Sequence, residues 1–120
     1  MIEFANLTKK RIDTRVLRRI AGKLFRENFE LSVVFATPVL MRKLNKNFRS
    51  KDKVANVLSF LLEKNKMGEI FININEKNIP FLFIHASLHL LGYGHKHTIE
   101  AKIMKAREKK LLNSLNIIKS

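Results

Sequence analysis

The chain has 120 residues, which is enough for one domain with one modest hydrophobic core. It has no Cys, so disulfide scaffolds, thiolate metal sites and cysteine nucleophiles are excluded, and any metal must be held by His, Asp or Glu. It carries 24 Lys and Arg against 10 Asp and Glu, a net charge of +14, and it has no apolar run long enough to cross a membrane.

The first half of the chain predicts two strands and two helices in alternation. Residues 2–4 are a short strand candidate, and residues 8–28 carry an apolar stripe at helical spacing with the opening Thr as its cap. Residues 31–36 are apolar and rich in β-branched side chains, which predicts a buried strand. Thr37 is a good N-cap and is followed by Pro, so a short helix over 38–47 is expected.

The second half predicts two more strands and two more helices. A polar loop over 48–56 leads to a strand over 57–62, and a second strand with alternating Ile residues follows over 69–75. An apolar helix is expected over 80–91, where glycines end it, and a basic helix is expected over 98–116.

The fold class expected from these elements is α+β, with a small mixed sheet of about four strands packed against helices. No stretch has the composition of a linker or a repeat, so residues 1–120 are expected to form a single domain. The first fifteen residues turn polar and basic too early for a secretory signal, so a signal peptide is not expected.

The positive charge is concentrated in three segments, at residues 9–26, 42–53 and 102–110, while residues 54–95 are nearly neutral. Such a distribution favours a polyanionic partner, with nucleic acid ahead of an anionic membrane surface. A Lys-rich composition with no specific partner is the remaining alternative.

All four histidines lie within thirteen residues, at His85, His89, His95 and His97. The first two are four residues apart on the apolar helix, so they share one face and can bind the same ion. The glycine turn at 92–94 can bring His95 back towards that pair. Three neutral imidazoles with a fourth position open are typical of a catalytic zinc, and His97 is expected at the surface or behind the ligands.

The histidines have two other interpretations. The spacing H-x-x-x-H-x-x-G-x-x-H also matches metzincin proteases, but those enzymes need Glu directly after the first His, where this chain has Ala86. A peptidase of that kind would lack its general base. The other alternative is a set of core or surface imidazoles without metal, which three His at these offsets disfavour.

Three segments resemble one family. HASLHLLGYGH (85–95) resembles the H-G-x-L-H-L-x-G-Y-D-H signature of the YbeY family, the metal-dependent endoribonucleases also called rRNA maturation factors. LNKNFRSKDKVANVLSF (44–60) resembles the family's L-N-x-x-x-R-x-x-D-x-x-T-D-V-L-S-F segment, and MGEIFI (67–72) resembles its L-G-D-I-x-I strand. The three segments come in the family's order.

The resemblance implies one zinc ion per chain at His85, His89 and His95, and a catalytic arginine at Arg49. It implies a single-strand-preferring endoribonuclease of the bacterial cytoplasm that acts in 16S rRNA 3′-end maturation and ribosome quality control. It also implies contacts with small-subunit ribosomal proteins and with the Era GTPase.

The chain departs from the family pattern at several positions. Ala86 replaces a Gly, Gly94 replaces the Asp before the third ligand, residues 55–56 replace Thr-Asp, and Glu69 replaces an Asp. The stretch before Pro80 is also too short for the helix that the family carries there, which would leave the site more open. These changes bear on rate and substrate shape more than on metal binding.

The mechanism expected on this basis uses zinc to lower the pKa of a water molecule from about 16 towards 7 and to polarise a phosphoryl oxygen. Arg49 would stabilise the developing negative charge, the alternative being one more solvated cation. Glu69 is the nearest candidate for a general base, although an outward strand carboxylate is favoured. Tyr93 either stacks on a base or packs in the turn, and Ser59 is favoured as a buried strand residue over a ligand-facing hydroxyl.

Two other function classes stay open. A non-catalytic ribosome-assembly factor with a structural zinc would bind single-stranded RNA without cutting it. A metal-dependent hydrolase for another substrate would not bind RNA. Its binding would also lack a steep salt dependence, which arises when contacts with nucleic-acid phosphates release counterions.

Overall fold

The computed structural model describes residues 1–93, and it confirms the predicted α+β class. The elements, in chain order, are β1 (Ile2–Asn6), α1 (Arg15–Leu24), β2 (Glu30–Ala36), α2 (Pro38–Arg49), β3 (Val57–Glu63), β4 (Met67–Asn73) and α3 (Ile79–Leu90). The basic helix predicted over 98–116 lies outside the described residues.

The four strands form one mixed sheet in the order β1-β2-β4-β3. Strands β1, β2 and β4 are parallel, and β3 runs antiparallel to β4. Parallel neighbours need crossover connections, which α1 supplies between β1 and β2. Strand β3 is joined to β4 by a tight turn in which Asn65 has a positive φ of 63°. In this strand order β3 lies at one edge of the sheet, and the candidate site described below lies beside it.

The main hydrophobic core lies between one face of the sheet and helices α1 and α3. It includes fully buried side chains from each layer: Val33, Phe35, Ile70 and Ile72 from the strands, Ile20 from α1, and Phe83, Ile84 and Leu88 from α3. Helix α3 is apolar around most of its circumference, as expected of a helix that the fold encloses. No helix within residues 1–93 is long and apolar enough to cross a membrane.

Helix α2 packs on the opposite face of the sheet, over a smaller cluster. That cluster contains Ala36, Met41, Ala55 and Leu58. Thr37 caps the helix as predicted, since its hydroxyl accepts a hydrogen bond from the Leu40 N–H at 3.3 Å. The rest of this face is not covered by a helix of the described chain, because α1 and α3 lie on the other side.

Helix α1 is shorter than predicted at both ends. Thr8 does not cap it, because the Thr8 N–H and hydroxyl both donate to the Asn6 side chain in a local turn, at 2.9 and 2.7 Å. The helix begins at Arg15, whose N–H donates to the Asp13 carboxylate at 3.0 Å. Asn and Thr side chains form local hydrogen bonds that compete with those of a helix, so a non-helical turn occupies the predicted start of α1.

Two further boundaries differ from the prediction and matter for the site. Helix α2 continues to Arg49 instead of ending near residue 47, so this arginine is the last helical residue and not part of a loop. Strand β4 begins at Met67, two residues earlier than expected, and therefore includes Gly68.

Two glycines lie at the end of α3. A Cβ at Gly68 would lie 2.9 Å from a methyl carbon of Leu90, so the glycine in β4 leaves room for the Leu90 side chain. Gly92 has a φ of +97°, which favours glycine, and its N–H donates to the carbonyl of His89 at 3.1 Å. Helix α3 thus ends in a turn at Gly92.

Candidate active site

Two histidines of α3 point their ring nitrogens at each other. The Nε2 atoms of His85 and His89 are 3.1 Å apart, and the ring centroids are 4.7 Å apart in a T-shaped arrangement. Two nitrogens bound to one tetrahedral zinc ion at 2.0–2.1 Å lie about 3.3 Å from each other. The pair therefore fits the separation that two ligands of one metal ion require.

The core holds this pair in position. Both histidines are only partly buried, but their neighbours Ala86, Ser87 and Leu88 are buried in the interior. The buried face fixes the rotation of α3 about its axis, so the imidazoles at positions i and i+4 emerge together on one flank. Phe81, one turn earlier, places its ring 6.3 Å from that of His85.

The third predicted ligand, His95, lies outside the described residues, as do Gly94 and His97. Among residues 1–93, no group of three His, Asp or Glu side chains is arranged to hold a metal ion. The three-histidine site therefore stays a prediction. Its described part consists of the His85–His89 pair and the turn at Gly92 that follows it.

A cavity of about 270 Å³ lies beside the histidine pair, between helix α3, strand β3 and the end of α2. Its walls are formed by Arg49, Val57, Leu58, Ser59, Ala86 and His89. The structure thus brings together Arg49 and His89, which are 40 residues apart in sequence, at one cavity. Ser59 is a partly buried residue of strand β3, and it also lines this cavity.

The position of Arg49 is set by the backbone around the end of α2. Ser50 adopts the left-handed conformation with φ 58°, and the Lys51 N–H donates a hydrogen bond to the carbonyl of Asn45. The Asn45 side chain is 2% exposed and donates from Nδ2 to the carbonyl of Lys53 at 2.9 Å. One buried asparagine therefore ties the following loop back onto the helix.

An exposed ion pair ties the same loop to α2 from outside. The Arg42 guanidinium donates to the Asp52 carboxylate at 2.8 Å, and both side chains are more than half exposed. This hydrogen bond lowers the pKa of Asp52 below its usual value and raises the pKa of Arg42. The Arg49 side chain is also exposed, so the phosphate-binding candidate faces solvent.

Glu69 does not lie at this cavity. In the sheet register it pairs with Ser32 and with Phe60, and it points away from α3, whereas its neighbours Gly68 and Ile70 are buried beneath α3 and α1. It lines a separate cavity of about 410 Å³ with Glu3 and Glu30. The structure therefore agrees with the favoured prediction of an outward strand carboxylate.

Tyr93 is half-buried and packs against the main core, and its N–H donates to the carbonyl of Leu88 at 3.0 Å. The structure therefore favours packing in the turn over base stacking as the role of the Tyr93 ring.

Sequence reasoning missed two residues near the cavity. Asn45 was not singled out, although a lone polar residue on the apolar stripe of a helix signals a buried hydrogen bond. Phe48 was also overlooked, although it precedes Arg49 in a basic segment, and its side chain is 66% exposed. An aromatic residue among cations is the signal that could have identified it.

Comparison with known proteins identifies one family. The family model described as Endoribonuclease YbeY matches residues 3–79 and 73–116, in two segments that together span most of the chain. The segments overlap at 73–79, where β4 is joined to α3 by residues 74–78 alone. The described connection thus contains no helix, as the short spacing before Pro80 predicted.

Relatives described as Endoribonuclease YbeY align over most of the chain. The protein from Ehrlichia chaffeensis is 43% identical over 104 residues, covering 72% of this chain and 68% of the relative. The protein from Phytoplasma mali is 32% identical over 129 residues, covering 92% and 87%. The protein from Nautilia profundicola is 33% identical over 133 residues, covering 98% and 93%. A chain of 120 residues cannot fill the last two alignments, so these relatives carry residues that it lacks.

The fold also has a counterpart among solved structures. The solution structure of a protein from Thermotoga maritima superimposes with a TM-score of 0.61 at 24% identity, covering 96% of this chain and 89% of that one. The two proteins therefore share the α+β architecture described above.

Proposed function

This chain belongs to the endoribonuclease YbeY family, and from that premise we propose how it acts on RNA. It is a hydrolase that cuts RNA phosphodiester bonds. Residues 1–120 act as a single domain that binds one zinc ion through His85, His89 and His95 and positions the substrate phosphate with Arg49. Its substrate is single-stranded RNA, and its task is the maturation of the 3′ end of 16S rRNA.

One observation carries this proposal, namely the cavity that Arg49 and His89 line together. In a metal-dependent nuclease, the metal ion and a cationic side chain can both stabilise the negative charge that develops on the phosphoryl oxygens. The imidazole pair, with its Nε2 atoms 3.1 Å apart, supplies the donor set for the first, and the guanidinium supplies the second. When bound at these imidazoles, a divalent cation acts as a Lewis acid towards a phosphoryl oxygen and lowers the pKa of water.

The side chains of the cavity divide the remaining work. Arg49 binds two phosphoryl oxygens through its planar fork and stabilises the charge that develops on them. The Ser59 hydroxyl donates a hydrogen bond to the phosphate or to the neighbouring ribose. Val57, Leu58 and Ala86 complete the walls of the cavity.

Zinc is the proposed ion because the available donors are neutral imidazoles in a chain without Cys. Three nitrogen ligands also accept other first-row metals, so elemental analysis of the purified chain identifies the ion. The proposed partners beyond RNA are proteins of the small ribosomal subunit and the Era GTPase, and the proposed location is the cytoplasm.

The test measures metal content and cleavage of a single-stranded RNA for the wild type, His89→Ala and Arg49→Ala. His89→Ala is expected to lose metal and to reduce cleavage to background. Arg49→Ala is expected to keep its metal while cleavage falls by about 100- to 1000-fold, the effect of removing one donor from a transition-state anion. Lys66→Ala, which removes an exposed cation in the turn between β3 and β4, is the control and should cleave at the wild-type rate.

Three results would contradict the proposal. Normal cleavage by Arg49→Ala would remove its role at the phosphate. Cleavage by metal-free His89→Ala would mean that the activity is a contaminant or that the site lies elsewhere. A metal-loaded wild type that binds single-stranded RNA without cutting it would instead be a ribosome-assembly factor.

A further inference from the structure

A row of three phenylalanines leads from the interior to the surface beside Arg49. The ring of Phe48 meets that of Phe60 edge to face with centroids 5.4 Å apart, and Phe60 meets Phe71 in the same way at 5.9 Å. Phe71 and Phe60 are partly buried, whereas Phe48 is 66% exposed. Most of an aromatic ring is thus held in solvent by a rigid apolar support.

The surroundings of Phe48 are strongly positive. Residues 42–53 contain six Lys and Arg against a single acidic residue, Asp52. Within residues 1–93, Arg42 is the one cation of this segment in an ion pair, and the other five are exposed. An exposed ring among uncompensated cations is the combination that binds single-stranded nucleic acid, because bases stack on the ring while phosphates meet the charges.

The geometry links this ring to the cavity. Consecutive residues of a helix project about 100° apart, so Arg49 lines the cavity while Phe48 lies over Phe60. Ser59 and Phe60 likewise point to opposite faces of strand β3. Because β3 is an edge strand of the sheet, an RNA strand can pass around this edge from the cavity to Phe48.

We propose that Phe48, supported by Phe60, is the stacking site for a base of the single-stranded RNA substrate, next to the nucleotide whose phosphate is bound by Arg49. This inference rests on the proposed function and adds the contact that makes the site prefer unpaired RNA. A base held in a duplex stacks on its neighbours and cannot stack on Phe48. Stacking tolerates any base, so the preference is for single strands and not for a sequence.

The experiment uses the metal-loaded full chain and a single-stranded RNA that carries 2-aminopurine, a base whose fluorescence is quenched by stacking. Fluorescence is recorded on mixing, before cleavage, and single-turnover rates at increasing enzyme concentration give the apparent dissociation constant. The variants are Phe48→Leu, which keeps an apolar contact with Phe60, and Phe48→Tyr, which keeps the ring. Val39→Ala, whose side chain is 80% exposed at the other end of α2, is the matched control.

Phe48→Leu is expected to lose the quenching and to raise the dissociation constant for single-stranded RNA by about 5- to 100-fold. Phe48→Tyr and Val39→Ala should behave like the wild type, and a fully paired RNA should bind Phe48→Leu and the wild type equally well. A wild type that quenches without cutting would overturn the proposed function and leave the stacking supported.

Unchanged quenching and affinity in Phe48→Leu would overturn the stacking itself. If Phe48→Leu then sediments as a monomer while the wild type sediments as a dimer, the ring is a contact between two copies of the chain. If the wild type cuts RNA normally in that case, the proposed function stands without this contact.

Discussion

Two walls of the cavity, one from α3 with His89 and one from the end of α2 with Arg49, are held in place by different interactions. The α3 wall packs on the main core, where Phe83, Ile84 and Leu88 are fully buried, so hydrophobic packing orients His89. The α2 wall presents Arg49 from the exposed end of a helix, where a few hydrogen bonds hold the following loop. Packing holds groups in one geometry, whereas a segment held by a few hydrogen bonds is less constrained. The comparison therefore contrasts an α3 wall fixed by the core with an α2 wall that is held more loosely.

The largest effect is expected where the α3 wall meets the core. Phe83→Ala would leave a cavity under the helix and should lower the free energy of unfolding by about 3–5 kcal/mol. Denaturant unfolding followed by circular dichroism measures this loss. Phe81→Ala, a partly buried neighbour on the same helix, should lower it by much less. Equal losses for both variants would mean that packing does not distinguish the two positions, and the account of this wall would be wrong.

A smaller effect is expected on the α2 wall. Asn45→Ala removes the hydrogen bond to the carbonyl of Lys53 and should lower the free energy of unfolding by about 1–2 kcal/mol. Because the loop that follows Arg49 is then released, RNA cleavage should fall by up to about 100-fold. Metal content should stay at the wild-type level, since the α3 wall is untouched.

Asn47→Ala is the matched control for that variant, because Asn47 is exposed on the same helix. It should leave stability, metal content and cleavage unchanged. Loss of metal in Asn45→Ala would show that the two walls are not independent, contrary to the comparison.

The features that the sequence predicted correctly lie mainly in the packed part of the molecule. Strong periodic signals, such as the Ile alternation of β4 and the apolar run of α3, placed both elements to within two residues. The pairing of His85 with His89 also followed from their spacing on a helix. These features depend on local pattern and on burial, which a sequence records directly.

The missed features depend on tertiary contacts or on local competition. Nothing in the order of residues shows that Asn45 reaches the carbonyl of Lys53, which is what binds the loop to α2. The turn at Asn6 and Thr8 displaced the start of α1 through side-chain hydrogen bonds that periodicity ignores. The exposed position of Phe48 over Phe60, at the edge of the sheet, depends on how α2 packs against β3, which local sequence pattern does not show.

The smallest effect is expected at the exposed ion pair. Because Arg42 lowers the pKa of Asp52 in the folded chain, the pair stabilises the fold above about pH 4 and loses this contribution as the pH falls through the lowered pKa. Wild type and Asp52→Asn should therefore differ slightly at neutral pH and converge in acid, as measured by thermal unfolding between pH 2 and pH 7.

Asp13→Asn supplies the comparison for this variant. The Arg15 side chain lowers the pKa of Asp13 to about 2, so its contribution should persist to a lower pH before it disappears. A difference between wild type and Asp52→Asn that grows as the pH falls would reverse the expected sign and contradict the role of the pair.

Zinc content, measured on the purified chain and on four single variants, tests the proposed metal site. One zinc ion per chain is expected in the wild type and in His97→Ala, and its loss is expected in His85→Ala, His89→Ala and His95→Ala. Zinc retained by His95→Ala, or lost by His97→Ala, would contradict the proposed set of three ligands.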